Sequence, residues 1–439
     1  MQKYVNQIID IIEQGGFEVY LVGGSVRDYL LEIPSDDIDL ATNATPEQIK
    51  QLFSFTQVID TGIKHGTVTV IYHQQAYEIT TYRTDATYSD HRRPDQVTFS
   101  QSIQEDLARR DFTMNAMAYH PEKGLIDPFG GADDLVNGVL KAVGSASDRF
   151  EEDPLRILRG LRFISRFGLQ VDADTDKALH HHADLLFYIS QERIFSELKQ
   201  ILMGPAVEQV LLEYPDVFES IIPELTPMMR FPQDHPYHDK DLWHHTAAVV
   251  SATPYDVSLR LAGLLHDIAK PECKTIDDDG KAHYDGHNTR SDEIARQILR
   301  NFRADNKTIF EVSHLINYHD HALSLKTSKV RDWLAKLGPD ILKKLVDLKM
   351  ADVLAQHPDY RADRLKQLRR FRAEIDIVLH GKIAFTVNSL EIDGHDLLAL
   401  GFPEGRTIGL ILDRLLKEVM NETLPNEKDA LIDRAYQLK

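Results

Sequence analysis

The chain has 439 residues, a single cysteine and a formal net charge of −19. About three domains are expected at this length, and a composition of 42% hydrophobic and 27% charged residues excludes a disordered or collagen-like chain. The lone Cys273 excludes an intramolecular disulfide framework. The N-terminal segment lacks the features of a signal peptide, and no apolar run approaches the ~18 residues of a membrane span. We therefore expect a cytoplasmic protein that has no membrane partner.

Hydrophobic periodicity predicts an α+β fold, with a small N-terminal α/β head followed by a long helical part. We expect an amphipathic helix over 2–14, a buried strand in FEVYLVGG and a second strand in SDDIDLAT. TVTVIYH and AYEITTYR predict a hairpin with Gln74-Gln75 at its tip. From Leu155 onward the apolar spacing is almost wholly helical.

Two carboxylates in the second strand predict a metal site. Asp37 and Asp39 alternate along the strand, so both side chains point to one face. Such a pair repels unless a divalent cation lies between the carboxylates, and Mg²⁺ prefers oxygen ligands. Upstream, Gly23-Gly24-Ser25 lets backbone N–H groups approach a triphosphate, which Arg27 can neutralise. Glu78 in the hairpin is a candidate third carboxylate. The alternative explanation for a pair of aspartates with this spacing, taken alone, is an ordinary surface turn.

The order of the motifs resembles a known family. VGGSVRDYLL, DDIDLAT, RRDFTMNAMAY, DPFGGADDL and FEEDPLRILRGLRF resemble the motifs of bacterial class II tRNA nucleotidyltransferases, which include CCA-adding enzymes and poly(A) polymerase relatives. The resemblance is dense over residues 17–170. It implies a polymerase-β-like nucleotidyltransferase head at 1–145 and a helical neck with base recognition at 146–230. An HD-type helical body at 231–355 and a helical, tRNA-binding tail at 356–439 would follow.

The resemblance implies template-independent addition of C, C and A to tRNA 3′ ends from CTP and ATP, with release of pyrophosphate. The 3′-hydroxyl would attack the α-phosphate with two Mg²⁺ ions held by Asp37 and Asp39. These two residues and Glu78 are the expected catalytic residues. By the same resemblance, the nucleotide-binding residues are Gly24, Ser25, Arg27, Arg109, Arg110, Asp111, Asp153, Arg156, Arg159 and Arg162.

The segment EDPLR carries a pair of side chains suited to reading a base. Asp153 and Arg156 are three residues apart, so they share one helix face. A carboxylate accepts from an exocyclic amino group, and a guanidinium donates to ring acceptors. Cytosine and adenine offer both groups on one edge, whereas uracil and guanine do not. By resemblance this pair selects CTP and then ATP; the alternative is an acid at a helix start with an i,i+3 ion pair.

Residues 81–99 are polar and show no clear periodicity. The segment resembles the flexible loop of CCA-adding and A-adding members, which tends to be shortened in relatives that add only CC. Its length favours a complete CCA or a terminal A as product. The alternative is an ordinary surface loop.

The helical part contains a second group of metal-ligand residues. The order His245, His266-Asp267 and Asp352 resembles the HD phosphohydrolase superfamily, in which such residues bind a divalent metal that activates water. We therefore expect a second divalent transition metal here, and either hydrolysis of phosphate esters or a scaffold alone. His287 lies in the same group, and four further histidines are expected to be supporting or incidental: His283, His314, His319 and His321.

Several readings stay open at this point. An enzyme that adds only A or only CC, or a poly(A) polymerase, would share every motif. An HD phosphohydrolase with a vestigial head and a non-catalytic RNA-binding module are the alternatives of other classes. The acidic net charge argues against RNA as a binding partner. Residues 326–372, however, carry more basic than acidic side chains, and Arg369 and Arg370 among them are the expected tRNA contacts. A solvated helix face explains that excess as well, and a homodimer is left open.

Overall fold

A computed structural model describes residues 4–34, 37–63, 66–85, 97–233, 240–278, 281–380, 385–421 and 423–438. The chain divides into two compact units, Met1–Pro223 and Glu224–Lys439. All the longer strands belong to the first unit and the second is almost wholly helical, so the α+β prediction is confirmed. The finer division into head, neck, body and tail stays a prediction. None of the helices in these ranges is both long and apolar enough to cross a bilayer.

The first unit is built on a seven-stranded mixed sheet. The strands of this unit are β1 Val19–Val22, β2 Asp39–Thr42, β3 Gln57–Ile59, β4 Thr67–Tyr72, β5 Gln75–Thr81, β6 Arg83–Asp85, β7 Val97–Phe99, β8 Ala118–His120, β9 Gly124–Ile126, β10 Val139–Leu140 and β11 Gln170–Val171. The sheet order is β3-β4-β5-β2-β1-β8-β9. Strand β2 lies near its middle, parallel to β5 and antiparallel to β1. The carboxylates of this strand are therefore supported on both sides.

The hairpin between β4 and β5 is present, but its tip differs from the prediction. The turn is formed by His73 and Gln74, both with positive φ, and Gln75 already belongs to β5. Two consecutive left-handed residues give the turn the twist that a tight hairpin needs. The expectation of a tip at Gln74-Gln75 was therefore wrong by one residue.

The segment 81–99 is not a loop throughout. Its two ends pair as the antiparallel strands β6 and β7. Strands of three residues are too short to show an alternating pattern, so they could not be predicted from hydrophobic periodicity. Residues 86–96 lie outside the described residues, so the flexible loop stays a prediction for them.

The helices of the first unit surround the sheet and extend it. They are α1 Val5–Gln14, α2 Gly24–Leu30, α3 Pro46–Leu52, α4 Ile103–Ala108, α5 Gly131–Val136, α6 Ala146–Glu152, α7 Leu155–Phe167, α8 Ala173–His181, α9 Gln191–Leu202, α10 Val207–Glu213 and α11 Pro215–Ile221. Helix α7 starts after Pro154 and ends at Gly168, which is left-handed at φ +65°. Its apolar face, with Leu158 and Leu161 fully buried, packs into the core. The opposite face carries a row of arginines at helical spacing.

The second unit contains ten α-helices in its described residues and one short pair of strands, β12 Thr275–Ile276 and β13 Ala282–His283. The helices are α12 Leu242–Ala252, α13 Val257–Leu265, α14 Lys270–Cys273, α15 His287–Asn301, α16 Asn306–Tyr318, α17 Thr327–Ala355, α18 Arg361–His380, α19 Gly394–Ala399, α20 Arg406–Met420 and α21 Lys428–Gln437. Helix α17 is broken at Gly338 (φ +73°), directly before Pro339, a residue that cannot continue a helical ladder.

Candidate active site

A polar cavity of about 790 Å³ in the first unit brings most of the predicted nucleotide-binding residues together. Its wall includes the glycine turn before α2, the aspartates around β2 and the exposed face of α7. Among the described residues, nine arginines face four aspartates in this wall: Arg27, Arg83, Arg109, Arg110, Arg156, Arg159, Arg162, Arg166 and Arg193 against Asp37, Asp39, Asp111 and Asp153. A chain with a strongly negative net charge thus keeps a basic cavity, which suits a polyphosphate.

The three predicted catalytic carboxylates are brought close by β2 and β5. Asp39 stands directly opposite Glu78 in the parallel register. Asp37 was predicted to lie in the same strand, but β2 begins only at Asp39; Asp37 and Asp39 nevertheless both line the cavity. Ser25 fixes this segment to the start of α2, since its hydroxyl donates to the Asp37 carbonyl (3.1 Å) and accepts from the Asp39 amide (2.8 Å). Its predicted role as a direct nucleotide ligand stays a prediction.

The glycine turn allows the arginines to approach the carboxylates. Gly23 has φ +63°, and a Cβ there would lie 2.8 Å from Arg110 Nη1 and 3.9 Å from Asp39 Oδ2. A side chain at this position would therefore fill the space between a cation and a carboxylate. Arg27, expected to neutralise phosphate, is buried and donates to Asp28 (2.8 Å) and Asn115 (2.8 Å).

The electrostatics around Asp39 fit a divalent cation. Burial, followed by the charges of Asp37 and Glu78, raises the pKa of Asp39 to about 6. Carboxylates that destabilise one another's charge are stabilised by a cation between them, and their oxygens are the ligands that Mg²⁺ prefers. The residues present therefore fit the divalent metal that nucleotidyltransferases normally use.

Asp111 is committed to an arginine of α7. Its Oδ2 accepts from Arg159 Nε (2.7 Å), and its Oδ1 accepts from Asn115 (3.1 Å) and from the Phe112 amide (2.8 Å). Burial alone would raise the pKa of Asp111, but the Arg159 charge and these hydrogen bonds lower it well below its usual range. Asp111 is thus an ionised, rigid acceptor that also orients Arg159 toward the cavity.

The two predicted base-reading residues are held by separate partners. Arg156 donates to Glu152 Oε2 (2.8 Å) and to the carbonyls of Arg109 (3.0 Å) and Arg149 (3.2 Å). Asp153 accepts from Arg193 of α9 (3.2 Å). The i,i+3 ion pair of the alternative explanation does not form, since the two side chains have other partners. Asp153 does, however, accept from the Leu155 amide in the first turn of α7 (3.2 Å), as an acid at a helix start does. Asp153 and Arg156 both line the cavity.

Asp106 is a supporting residue that the sequence reasoning missed. It is fully buried in α4 and accepts from Arg109 Nη2 (2.7 Å) and Arg110 Nη2 (3.0 Å). Burial raises the pKa of Asp106, but the charges of Arg110 and Arg109 outweigh it and lower the pKa overall. The i,i+3 and i,i+4 spacing was a usable signal. No comparable spacing indicated Arg83 or Arg193, because these two residues reach the cavity through the packing of segments that are distant in the sequence.

We expect Asp106→Asn to destabilise the protein by about 3–5 kcal/mol, because it leaves two arginines next to a neutral partner in a buried site. The pKa of Asp106 is depressed in the folded state, so its stabilising contribution is present above the ordinary pKa and is lost as the pH falls. Urea unfolding of the parent and the variant at neutral and acidic pH measures this. Glu122→Gln, an exposed carboxylate, is the control; a loss below about 1 kcal/mol for Asp106→Asn would contradict the assignment.

The predicted HD residues also converge, in the second unit. His245 comes from α12, His266 and Asp267 follow α13, and Asp352 comes from α17. His245 Nε2 lies 3.1 Å from Asp352 Oδ1, and His266 Nε2 lies 3.1 Å from Asp267 Oδ2. His287 Nε2 and His319 Nε2 each lie 3.4 Å from Asp267 Oδ1. His319, which the sequence predicts to be supporting or incidental, therefore lies within the group; no pattern in the sequence distinguishes it.

The donor set of this centre fits a transition metal. It consists of imidazole nitrogens and carboxylate oxygens on buried side chains, and His266 donates from Nδ1 to the Gly263 carbonyl (2.8 Å), which directs its Nε2 inward. Burial raises the pKa of Asp267, but His266 and Lys270 lower it well below its usual range, so Asp267 stays ionised.

The mixed sheet with its paired aspartates beside an arginine-lined cavity defines a nucleotidyltransferase. Three family models match: "Poly A polymerase head domain" at residues 19–141, "Probable RNA and SrmB- binding site of polymerase A" at 168–229, and "tRNA nucleotidyltransferase domain 2 putative" at 287–435. A CCA-adding enzyme of Ligilactobacillus salivarius is 33% identical over 443 residues, which cover 98% of this chain and 95% of the relative. The chain therefore belongs to the family of CCA-adding enzymes.

Solved structures agree with this assignment. The CCA-adding enzyme of Bacillus stearothermophilus in complex with CTP is similar with a TM-score of 0.70 and 27% identity, over 100% of this chain and 99% of that one. The Thermotoga maritima CCA-adding enzyme complexed with tRNA has a TM-score of 0.60 over 100% of this chain and 96% of that one; at 20% identity it shows the fold alone.

Proposed function

We propose that this CCA-adding enzyme completes tRNA 3′ ends, adding C, C and A in turn from CTP and ATP without a nucleic-acid template. The observation that carries the proposal is the single cavity in which paired carboxylates, a row of arginines and the Asp153/Arg156 pair all meet. A triphosphate, the reacting hydroxyl and a base can be bound there together. Addition of A alone, of CC alone, or of a poly(A) tail is the alternative product.

In the reaction, the tRNA 3′-oxygen forms a bond to the α-phosphorus, and its proton passes to solvent water. The bond from that phosphorus to the bridging oxygen breaks, and pyrophosphate leaves. Asp37 and Asp39 would hold Mg²⁺, and Glu78 would add charge beside them. When bound there, Mg²⁺ stabilises charge on the phosphates as a Lewis acid. Arg110 and the arginines of α7 other than Arg156 would bind the departing phosphates.

Base selection is proposed for the Asp153/Arg156 pair. Asp153 accepts from the amino group that cytosine and adenine share, and Arg156 donates to the adjacent ring nitrogen. The anchors on Arg193, Glu152 and two carbonyls support this role, because fixed polar groups discriminate better than mobile ones.

The test uses three tRNA transcripts that lack CCA, lack CA or lack only the terminal A. Each is incubated with CTP, with ATP or with both in Mg²⁺, and the 3′ ends are sequenced. We expect C addition from CTP alone on the first two, A addition from ATP alone on the third, and complete CCA with both. Failure on any one substrate would assign the chain a narrower product.

We propose that helix α18 contributes to the grip on tRNA. Arg369 and Arg370 are exposed and form no ion pair with any residue that the structure describes. Some other basic residues between 326 and 372 are paired, as in Lys343–Asp376 (2.8 Å) and Lys344–Glu311 (2.7 Å). The two arginines are thus available for phosphate contacts, which bind RNA without reading its sequence.

We expect Arg369→Glu/Arg370→Glu to raise the KM for tRNA about tenfold or more and to leave the KM for CTP unchanged. Initial rates at varied tRNA and CTP concentrations measure both constants. The reversal Lys307→Glu, at an exposed lysine of α16, shows the effect of a change in net charge half as large at a site outside α18. An unchanged KM for tRNA would remove α18 from the binding surface.

A second candidate function is metal-dependent hydrolysis of phosphate esters in the second unit. It is supported by the buried group of His245, His266 and Asp267, to which Asp352 adds a carboxylate oxygen 3.1 Å from His245 Nε2. A cavity of about 360 Å³ that is lined by Asp267, Asp352 and Lys270 lies beside this group. Metal bound there would supply an activated water.

We expect His266→Asn to abolish hydrolysis of p-nitrophenyl phosphate and to preserve nucleotide addition. Asp37→Ala/Asp39→Ala should do the reverse, since the two sites lie in different units. Assaying both activities on both variants in Mn²⁺ or Ni²⁺ tests the separation. No hydrolysis by the parent chain with any transition metal would leave the HD residues a structural role only.

A further inference from the structure

Two phenylalanines of α7 lie among the arginines of the cavity wall. The helix repeats an Arg-Phe pair at 162–163 and 166–167, so the two rings lie one helical turn apart. The rings are stacked, with their centres 6.4 Å apart and an angle of 14° between their planes. Phe163 is 3% exposed and belongs to the cavity wall. Aromatic rings therefore lie next to the guanidinium groups at this wall.

Four guanidinium groups surround these two rings. Three arginine Cζ atoms lie close to the centre of the Phe163 ring: Arg162 at 4.7 Å, Arg27 at 5.2 Å and Arg159 at 5.8 Å. Two lie close to the centre of the Phe167 ring: Arg166 at 4.8 Å and again Arg27 at 5.3 Å. All these distances are within the roughly 6 Å over which an aromatic ring attracts a cation.

Gathering four like charges at one wall is costly. Salt screens the repulsion between partly buried charges only weakly. Burial lowers the pKa of Arg27 and of Arg162, and the charges of neighbouring arginines lower both further. Carboxylates offset part of this cost, in ion pairs of Asp111 with Arg159, of Glu197 with Arg162, and of Asp28 with Arg27 and Arg166. Each carboxylate, however, also repels a phosphate that enters the cavity.

An aromatic ring attracts a cation through its quadrupole and adds no negative charge to the site. We propose that Phe163 and Phe167 are positioning residues, whose rings hold the four guanidinium groups together as a preformed site for the triphosphate of the incoming nucleotide. Because the guanidinium groups are already gathered in the free protein, binding does not have to overcome their repulsion again. The proposal deepens the nucleotide addition proposed above and rests on it for the identity of the ligand.

The test changes the charge distribution of the Phe163 ring with little change in its size. Phenylalanine with one, two or three ring fluorines is incorporated at position 163 of the full-length chain, because fluorine weakens the quadrupole that attracts a cation. Isothermal titration calorimetry in Mg²⁺ measures the dissociation constant for pyrophosphate, a ligand that has no base. We expect this constant to rise with each added fluorine, to about tenfold for the trifluorinated ring, and Phe163→Leu to raise it at least as far.

Phe150 is the matched control. It is fully buried, and its ring packs against Phe112 (ring centres 6.5 Å apart), as the Phe163 ring does (5.9 Å). Among the residues that the structure describes, no arginine or lysine lies over the Phe150 ring. Fluorination of Phe150 should therefore leave the dissociation constant for pyrophosphate unchanged. The preference for CTP over UTP should stay unchanged in both series, because base selection is proposed for Asp153 and Arg156.

A dissociation constant that is the same for every fluorinated Phe163 ring, or that rises equally in the Phe150 series, would overturn the proposal and leave Phe163 a packing role alone. The fluorinated series decides the question even if Phe163→Leu fails to fold. Addition of C to a tRNA lacking CCA, assayed on the same samples, separates this proposal from the activity. Pyrophosphate binding that follows the number of fluorines, without any nucleotide addition, would retain the role of the rings and remove the proposed function.

Discussion

Replacing Asp39 by asparagine is expected to lower the rate of nucleotide addition by about 10³-fold, equivalent to about 4 kcal/mol of transition-state stabilisation. The reason is geometric: Asp39 lies in the wall of the arginine-lined cavity with Asp37, and it stands opposite Glu78 in the sheet. An amide keeps the shape but carries no charge to hold a divalent cation. Single-turnover CTP incorporation at saturating Mg²⁺ measures the effect.

The same substitution should stabilise the folded chain in metal-free buffer, by roughly 1–3 kcal/mol. Burial and the neighbouring carboxylates disfavour the charged form of Asp39 and raise its pKa to about 6. Neutralising the side chain removes that repulsion. Asp60→Asn, at an exposed carboxylate paired with Lys50 (2.7 Å), should change neither activity nor stability appreciably. Full activity of Asp39→Asn would exclude Asp39 from the metal site.

Replacing Arg156 by alanine is expected to lower kcat/KM for both CTP and ATP by about 10²-fold, the contribution of about one hydrogen bond from a charged donor. It should also reduce the preference for these nucleotides over UTP and GTP. The guanidinium is anchored by Glu152 and two carbonyls at the cavity wall, so it is a preorganised donor. Competition among all four nucleotides, analysed by sequencing the products, measures the preference.

Arg149→Ala separates base reading from support. Arg149 also donates to Glu152 (2.5 Å) but is not part of the cavity wall. Its removal should leave the nucleotide preference close to that of the parent. Equal loss of preference in Arg149→Ala and Arg156→Ala would indicate that Glu152, rather than Arg156, determines the selectivity.

Much of the first site could be predicted because its signals are local. The alternation of Asp37 and Asp39 placed both carboxylates on one face, and the three-residue spacing of Asp153 and Arg156 placed both at one helix start. The arginine row on α7 is likewise a consequence of helical spacing. The register that sets Glu78 opposite Asp39 is a tertiary property, although the hairpin sequence correctly placed Glu78 nearby.

The features that were missed depend on long-range packing. Arg193 reaches Asp153 only because α9 packs on α7, and no pattern around Arg193 indicates that contact. His319 reaches Asp267 because α16 packs on α13, so it could not be distinguished from His314 or His321 in the sequence. The position of the hairpin tip depends on left-handed backbone at His73 and Gln74. Glycine at these positions would have predicted that conformation, whereas histidine and glutamine do not.

The most direct test of the proposed activity is the 3′-terminal sequence of a tRNA lacking CCA after incubation with the parent chain, Mg²⁺ and all four nucleoside triphosphates. The cavity with its Asp153/Arg156 pair predicts a single product that ends in CCA and is not extended further. A product ending in one A, in CC or in a run of A would assign a different specificity. An unextended tRNA would contradict the proposal that this cavity is an active nucleotidyltransferase site.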